Sequence, residues 1–119
     1  MQSFRKMVVW QRSHALAVRI YVLTRSFPPE ERFGLALQMR RSSSSVPTNL
    51  AEGSRAVTSK QFAQFVHIAH GSIGELDYQV ELARDIGLLE ATIAASLASE
   101  CDEIGRMLWG LRKSVRAAL

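Results

Sequence analysis

Apolar residues recur at helical spacing in four successive stretches of the chain, and no stretch alternates as a strand would. The first stretch predicts a helix from about Arg5 to Ser26. Val9, Ser13, Leu16, Ile20, Leu23 and Phe27 line one face, and Trp10, Ala17, Tyr21 and Thr24 widen it on one side. A surface helix needs an apolar arc of only ~100°. This broader arc predicts two contact faces, one for the core and one for another subunit. Arg5, Arg12 and Arg19 border it at intervals of seven residues. Phe27-Pro28-Pro29-Glu30-Glu31 then stops one helix and starts the next. Proline fits a first helical turn, and carboxylates favour the positive end of the helix dipole.

The second helix is predicted to run to about Glu52, with Gly53 closing it in the left-handed conformation. Its composition reads like a loop, with four consecutive serines and then a proline. Yet Leu35, Gln38, Ser42, Ser45, Asn49 and Glu52 recur at spacings of 3, 4, 3, 4 and 3, which is one face of a helix. Such a polar face packs only if each polar group finds a partner. Gln38, Arg41, Ser45, Asn49 and Glu52, with Ser72, Glu75 and Gln79 on the third helix, are therefore read as a structural hydrogen-bond network. Asn49 is expected to be largely buried. Pro47 inside this helix costs ~3 kcal/mol and leaves the Ser43 carbonyl unpaired. The stripe resumes in phase beyond it, so the expectation is a bent helix rather than a loop.

Thr58 to Gln61 fits a capping box that opens a third helix. Phe62, Phe65, Val66, Ala69, Ile73, Leu76, Val80 and Ala83 form its stripe, and Gly87 ends it. The fourth helix, about Glu90 to Val115, carries Ile93, Leu97, Cys101, Ile104, Leu108, Leu111 and Val115. Arg112, Lys113 and Arg116 favour its carbonyl end. Four long helices with short connections predict an all-α, antiparallel up-down-up-down four-helix bundle. At 119 residues, 1–119 reads as a single domain.

Composition adds two constraints. No stretch approaches the ~18 apolar residues of a membrane span, and no signal-peptide pattern follows the start, so no membrane partner is expected. The single Cys101 excludes an internal disulfide and fits a cytoplasmic location. The net charge of +4 is uneven: residues 1–60 carry ten Lys/Arg against three Asp/Glu, and residues 61–119 carry five against eight. The asymmetry either steers an anionic partner or pairs the two halves. Arg5, Arg12, Arg19, Arg55 and Lys60 are the candidate nucleic-acid contacts. Asp77, Glu81 and Asp85 form an acidic ridge, read as solvated or as an intersubunit match to the arginines.

Chemistry beyond this is sparse. There is no phosphate loop, metal spacing or nucleophile elbow, so no cofactor, metal or catalytic residue is assigned. His67 and His70 read as surface histidines, and His14 as partly buried and hydrogen-bonded. Cys101 reads as a buried structural thiol. Glu52 and Glu75 form an acid/base pair only if both face one pocket.

Val9-Trp10-Gln11, Phe27-Pro28, Phe33-Gly34-Leu35, Gln38, Arg40-Arg41, Ser45-Val46-Pro47, Asn49-Leu50-Ala51-Glu52-Gly53, Ala69-His70-Gly71-Ser72, Glu75-Leu76 and Gln79 together resemble a bacterial family. It is the family of four-helix-bundle proteins encoded in intervening sequences of 23S ribosomal RNA genes. The likeness covers residues 9–87 well and the fourth helix loosely. It implies a four-helix subunit in a ring-shaped homopentamer, and it does not imply a catalytic residue. It also implies a fold similar to the accessory variability protein of diversity-generating retroelements, which binds a reverse transcriptase and nucleic acid. Ser13 and Ser42 depart from the alanines usual in the family. The resulting expectation is a non-enzymatic homo-oligomeric scaffold that binds RNA, DNA or a nucleic-acid enzyme through a basic surface. The alternative is a protein-binding adaptor whose charges serve its own subunit interfaces.

Overall fold

The computed structural model describes residues 3–117. Its four helices are α1 (Val8–Thr24), α2 (Leu35–Gly53), α3 (Ser59–Asp85) and α4 (Ala91–Ala117). No strand occurs among the described residues. Successive helices run antiparallel, as expected of an up-down-up-down bundle. At 1.5 Å per residue a 27-residue helix spans ~40 Å, and α3 and α4, each of that length, set the 45 Å long axis. Both α2 and α4 pack along α3, whereas α1 lies mainly on α2 and meets α4 over a shorter stretch.

The core follows the four apolar stripes. Ile20, Met39, Val46, Leu50, Val66, Leu76, Leu97, Ile104 and Leu108 are completely shielded from solvent. Cys101 joins them as a buried free thiol. Burial, with a smaller push from Asp77 and Glu100, raises its pKa from 9.0 to about 12. Cys101 is therefore expected to resist iodoacetamide at pH 8 and to react only after unfolding. The stabilising contribution of its protonated state is complete below the unfolded pKa of 9.0 and is lost as pH rises through about 12.

Helix α2 continues unbroken through the buried Pro47. The flanking serines bond back to the helix: Ser43 and Ser44 donate to the carbonyls of Arg40 and Arg41. These are not the Ser43 carbonyl that proline orphans, so the hydroxyls do not replace the missing bond directly.

Three helix boundaries differ from the expected ones. Helix α1 begins at Val8, because Phe4–Lys6 forms a separate 3₁₀ turn capped by the Ser3 hydroxyl. Pro29–Glu31 is also a single 3₁₀ turn, and α2 starts only at Leu35. There the Glu31 carboxylate turns back and accepts the Leu35 amide at 3.0 Å. Gly53 is not left-handed; it remains helical, and Ser54 caps α2 in a right-handed conformation. The left-handed glycine is Gly87, at φ 83°. The Leu88 amide bonds the Ala83 carbonyl and the Gly87 amide bonds the Arg84 carbonyl, the paired bonds of a Schellman motif. At the start of α3, Thr58 accepts the Gln61 amide as expected, while the Gln61 side chain reaches one residue further back, to the Val57 amide.

Candidate nucleic-acid interface

Folding replaces a charge difference between sequence halves with one between bundle ends. The start of α1, the α2–α3 connection and the end of α4 meet at one end. They bring together Arg5, Lys6, Arg55, Lys60, Arg112, Lys113 and Arg116. None of these seven forms an ion pair among the described residues, and Glu52 is the nearby acidic residue in sequence. The opposite end carries Glu30, Glu31, Glu81, Asp85 and Glu90 with Arg25, Arg32 and Arg84. The helix dipoles of an antiparallel bundle largely cancel, so these side chains dominate the field at each end.

The five candidate contacts therefore separate. Arg5, Arg55 and Lys60 lie at the basic end and are exposed. Arg12 and Arg19 lie on the seam between α1 and α4. The Arg12 fork grips Glu100, with Nε to Oε1 at 2.9 Å and Nη2 to Oε2 at 2.8 Å, and Glu103 approaches at 3.6 Å. The hydrogen bond to Glu100 raises the Arg12 pKa foremost. Arg19 donates to Ser96 at 3.1 Å. Arg12 and Arg19 thus tie α1 to α4, whereas Arg5 has no such partner among the described residues.

Sequence reasoning missed Arg112, Lys113, Arg116 and Trp109 as candidate contacts, treating the three cations only as partners of the helix dipole. Trp109, Arg112 and Arg116 share one stripe of α4 at spacings of three and four, a signal that was available. Arg112 and Arg116 face Lys60, Gln64 and His67 on α3 across a cleft of about 330 Å³. One turn along, Trp109 is half exposed, with the His70 ring centred 6.1 Å away and the Arg112 guanidinium 5.9 Å away. Burial, then the charges of Arg112 and His67, lower the His70 pKa.

The polar stripe is partly a network. Asn49 donates to the Ser45 carbonyl at 2.8 Å and to its hydroxyl at 3.0 Å. That hydroxyl meets Ser72 of α3 at 2.8 Å. Ser42 donates to Gln79 Oε1 at 2.6 Å, so one of the two departures from alanine links α2 to α3. Asn49 is half-buried, not largely buried, because the stripe lies at the edge of the α2–α3 contact. Gln38, Arg41, Glu52 and Glu75 are exposed and make no side-chain hydrogen bond among the described residues. Arg40 turns to α1 instead, donating to Thr24 at 2.8 Å. Glu75 borders a shallow depression with Gln38, Arg41 and Gln79, and Glu52 does not line it. His14 is exposed and stacked on Trp10 at 5.0 Å, rather than partly buried and hydrogen-bonded. Among the described residues no three His, Cys, Asp or Glu side chains cluster as metal ligands. No described helix is long and apolar enough to cross a membrane.

The family of 23S rRNA-intervening sequence proteins matches residues 5–110. The chain belongs to this family. A solved relative is a protein with unknown function from the S23 ribosomal protein family of Bacteroides thetaiotaomicron. It is 25% identical, with a TM-score of 0.81 over 89% of this chain and 96% of that one. Membership thus extends over most of α4, where the sequence likeness was loose. No protein with a curated description matches the chain.

Proposed function

We propose that this member of the 23S rRNA-intervening sequence family is a non-enzymatic, cytoplasmic scaffold that assembles from copies of itself and binds nucleic acid through its basic ends. The observation that carries the assembly is the uncovered side of α1. Of the residues that widen the apolar arc, Ala17 and Thr24 are buried, but Tyr21 faces outward beside Val18 and Val22. Val18 and Val22 are each 50% exposed and Tyr21 42%. With Trp10, Ala17 and Pro47 they line an open groove of about 560 Å³ between α1 and α2. Contiguous apolar surface of this kind marks an interface. A second copy of the chain is the occupant this reading commits to, and the family resemblance favours five copies. A closed ring would repeat the basic end around its axis and multiply its field.

Light scattering tests the assembly. The parent is expected at about five times its 13.3 kDa subunit mass. Val18→Glu combined with Val22→Glu is expected to give monomers of unchanged helicity, since both side chains already face solvent in the subunit. A monomeric parent at micromolar concentration would sink the assembly reading. A second reading, an adaptor whose charges serve its own contacts, draws on Arg12 and Arg19, which bind α4. The seven unpaired cations at the basic end favour the nucleic-acid reading instead.

A further inference from the structure

We propose that the α3–α4 groove at the basic end holds a single strand of nucleic acid, with phosphates on Lys60, Arg112 and Arg116 and one base against Trp109. This rests on the nucleic-acid reading above and gives it a site and a strand preference.

Two adjoining cavities carry the inference. The first, of about 330 Å³, has Lys60, Arg112 and Arg116 in its wall and no carboxylate. That is the lining a phosphodiester requires, and Gln64 adds a neutral donor. The second, of about 410 Å³, contains Trp109 and His70 above the two glycines Gly74 and Gly105. A Cβ at Gly74 would meet nothing within 4 Å, and one at Gly105 only Ile73, at 3.7 Å. No side chain from these positions fills the groove, so a flat ring can approach the helix backbone beside the indole. Trp109 and Arg112 are three residues apart on α4, as are His70 and His67 on α3, so the cavities are about one helical turn apart, ~5 Å. That separation suits a base and its own phosphate.

The charges sort the two parts of a nucleotide. The second wall holds Asp77 together with Asp102, which is paired with Arg106 at 3.1 Å, so its net charge is negative and disfavours phosphate there. A neutral base is accepted, and its N–H groups find carboxylate acceptors. The backbone is thereby held in the first cavity. A base reaches the indole face only when it is unstacked, which favours a single strand over a duplex.

Fluorescence anisotropy with a labelled short oligothymidylate, and with a duplex of equal length, tests the assignment at two salt concentrations. Trp109→Ala is expected to weaken single-strand binding roughly tenfold, to leave duplex binding unchanged and to keep the salt dependence. Gly74→Leu, which fills the second cavity with a good helix former, is expected to give the same selective loss. Arg112→Glu with Arg116→Glu is expected to weaken both nucleic acids and to flatten the salt dependence. If the parent binds while Trp109→Ala and Gly74→Leu bind single strands equally well, this inference is overturned and the basic-end reading stands. If the parent binds neither probe at low salt, the nucleic-acid reading itself fails.

Discussion

Gly53→Ala is expected to destabilise the bundle by about 1–3 kcal/mol, the usual cost of overpacking. Gly53 ends α2 where it crosses α3. A Cβ added there lies 2.9 Å from the Phe65 Cβ and 3.0 Å from the Phe62 ring. The phenyl ring of Phe62 can rotate away, but the Phe65 Cβ is fixed to the α3 backbone, so relief requires the helices to separate. Helix propensity acts in the opposite direction, favouring alanine over glycine by ~0.5–1 kcal/mol. The close contact outweighs it because 2.9 Å between two Cβ atoms is far inside van der Waals contact and can be relieved only by moving the α3 backbone. Gly71→Ala supplies the control. Gly71 is an exposed mid-helix glycine with nothing within 4 Å of its added Cβ, so the same substitution there gains the propensity term alone. Thermal melts should move in opposite directions, with Gly53→Ala falling by roughly 4 °C per kcal/mol. A Gly53→Ala melt at or above that of the parent would show that α3 recoils freely.

This glycine illustrates what the sequence discloses and what it withholds. Helix number, type and inward faces were legible, because apolar spacing is a local property that tertiary packing reinforces. Pro47 did not mislead, since the polar stripe kept its phase across it. Gly53 was misread because a glycine after a helical run has two uses, a left-handed cap or a close approach, and only the position of Phe65 separates them. The starts of α1 and α2 were misplaced because Phe4–Lys6 and Pro29–Glu31 carry helical signals yet close only one turn each.

The candidate site was less legible than the fold. Arg55 and Lys60 were visible as cations flanking one connection. Arg112, Lys113 and Arg116 lie some fifty residues further along the chain. They join that connection only because α3 and α4 are antiparallel and of equal length. Counting charge by sequence halves therefore assigned the asymmetry to the wrong axis. The ion pairs of Arg12 were hidden for a similar reason, since Glu100 is 88 residues away.

Arg12→Glu is the second large expected effect, and it separates structural arginines from those proposed to bind a ligand. The side chains of Arg12 and Glu100 are 34% and 30% exposed, so solvent screens the pair and its loss alone is modest. An exposed pair contributes ~0.2–1 kcal/mol, and the bidentate geometry supports the upper part of that range. Reversal adds repulsion, because the introduced carboxylate would face both Glu100 and Glu103 across the shortest helix contact of the bundle. A combined loss of roughly 1–2 kcal/mol follows from like and unlike pairs of similar size. Glu100→Arg in the same chain should restore most of it by re-forming the pair in reverse. Arg112→Glu with Arg116→Glu should instead leave the melt close to that of the parent, since neither arginine has an ion-pair partner among the described residues. The two substitutions thus exchange their effects, with Arg12→Glu lowering stability while the α4 pair lowers binding. If Arg12→Glu left the melt unchanged and Glu100→Arg gave no rescue, the seam would contribute nothing. Arg12 would then return to the ligand-binding set alongside Arg5.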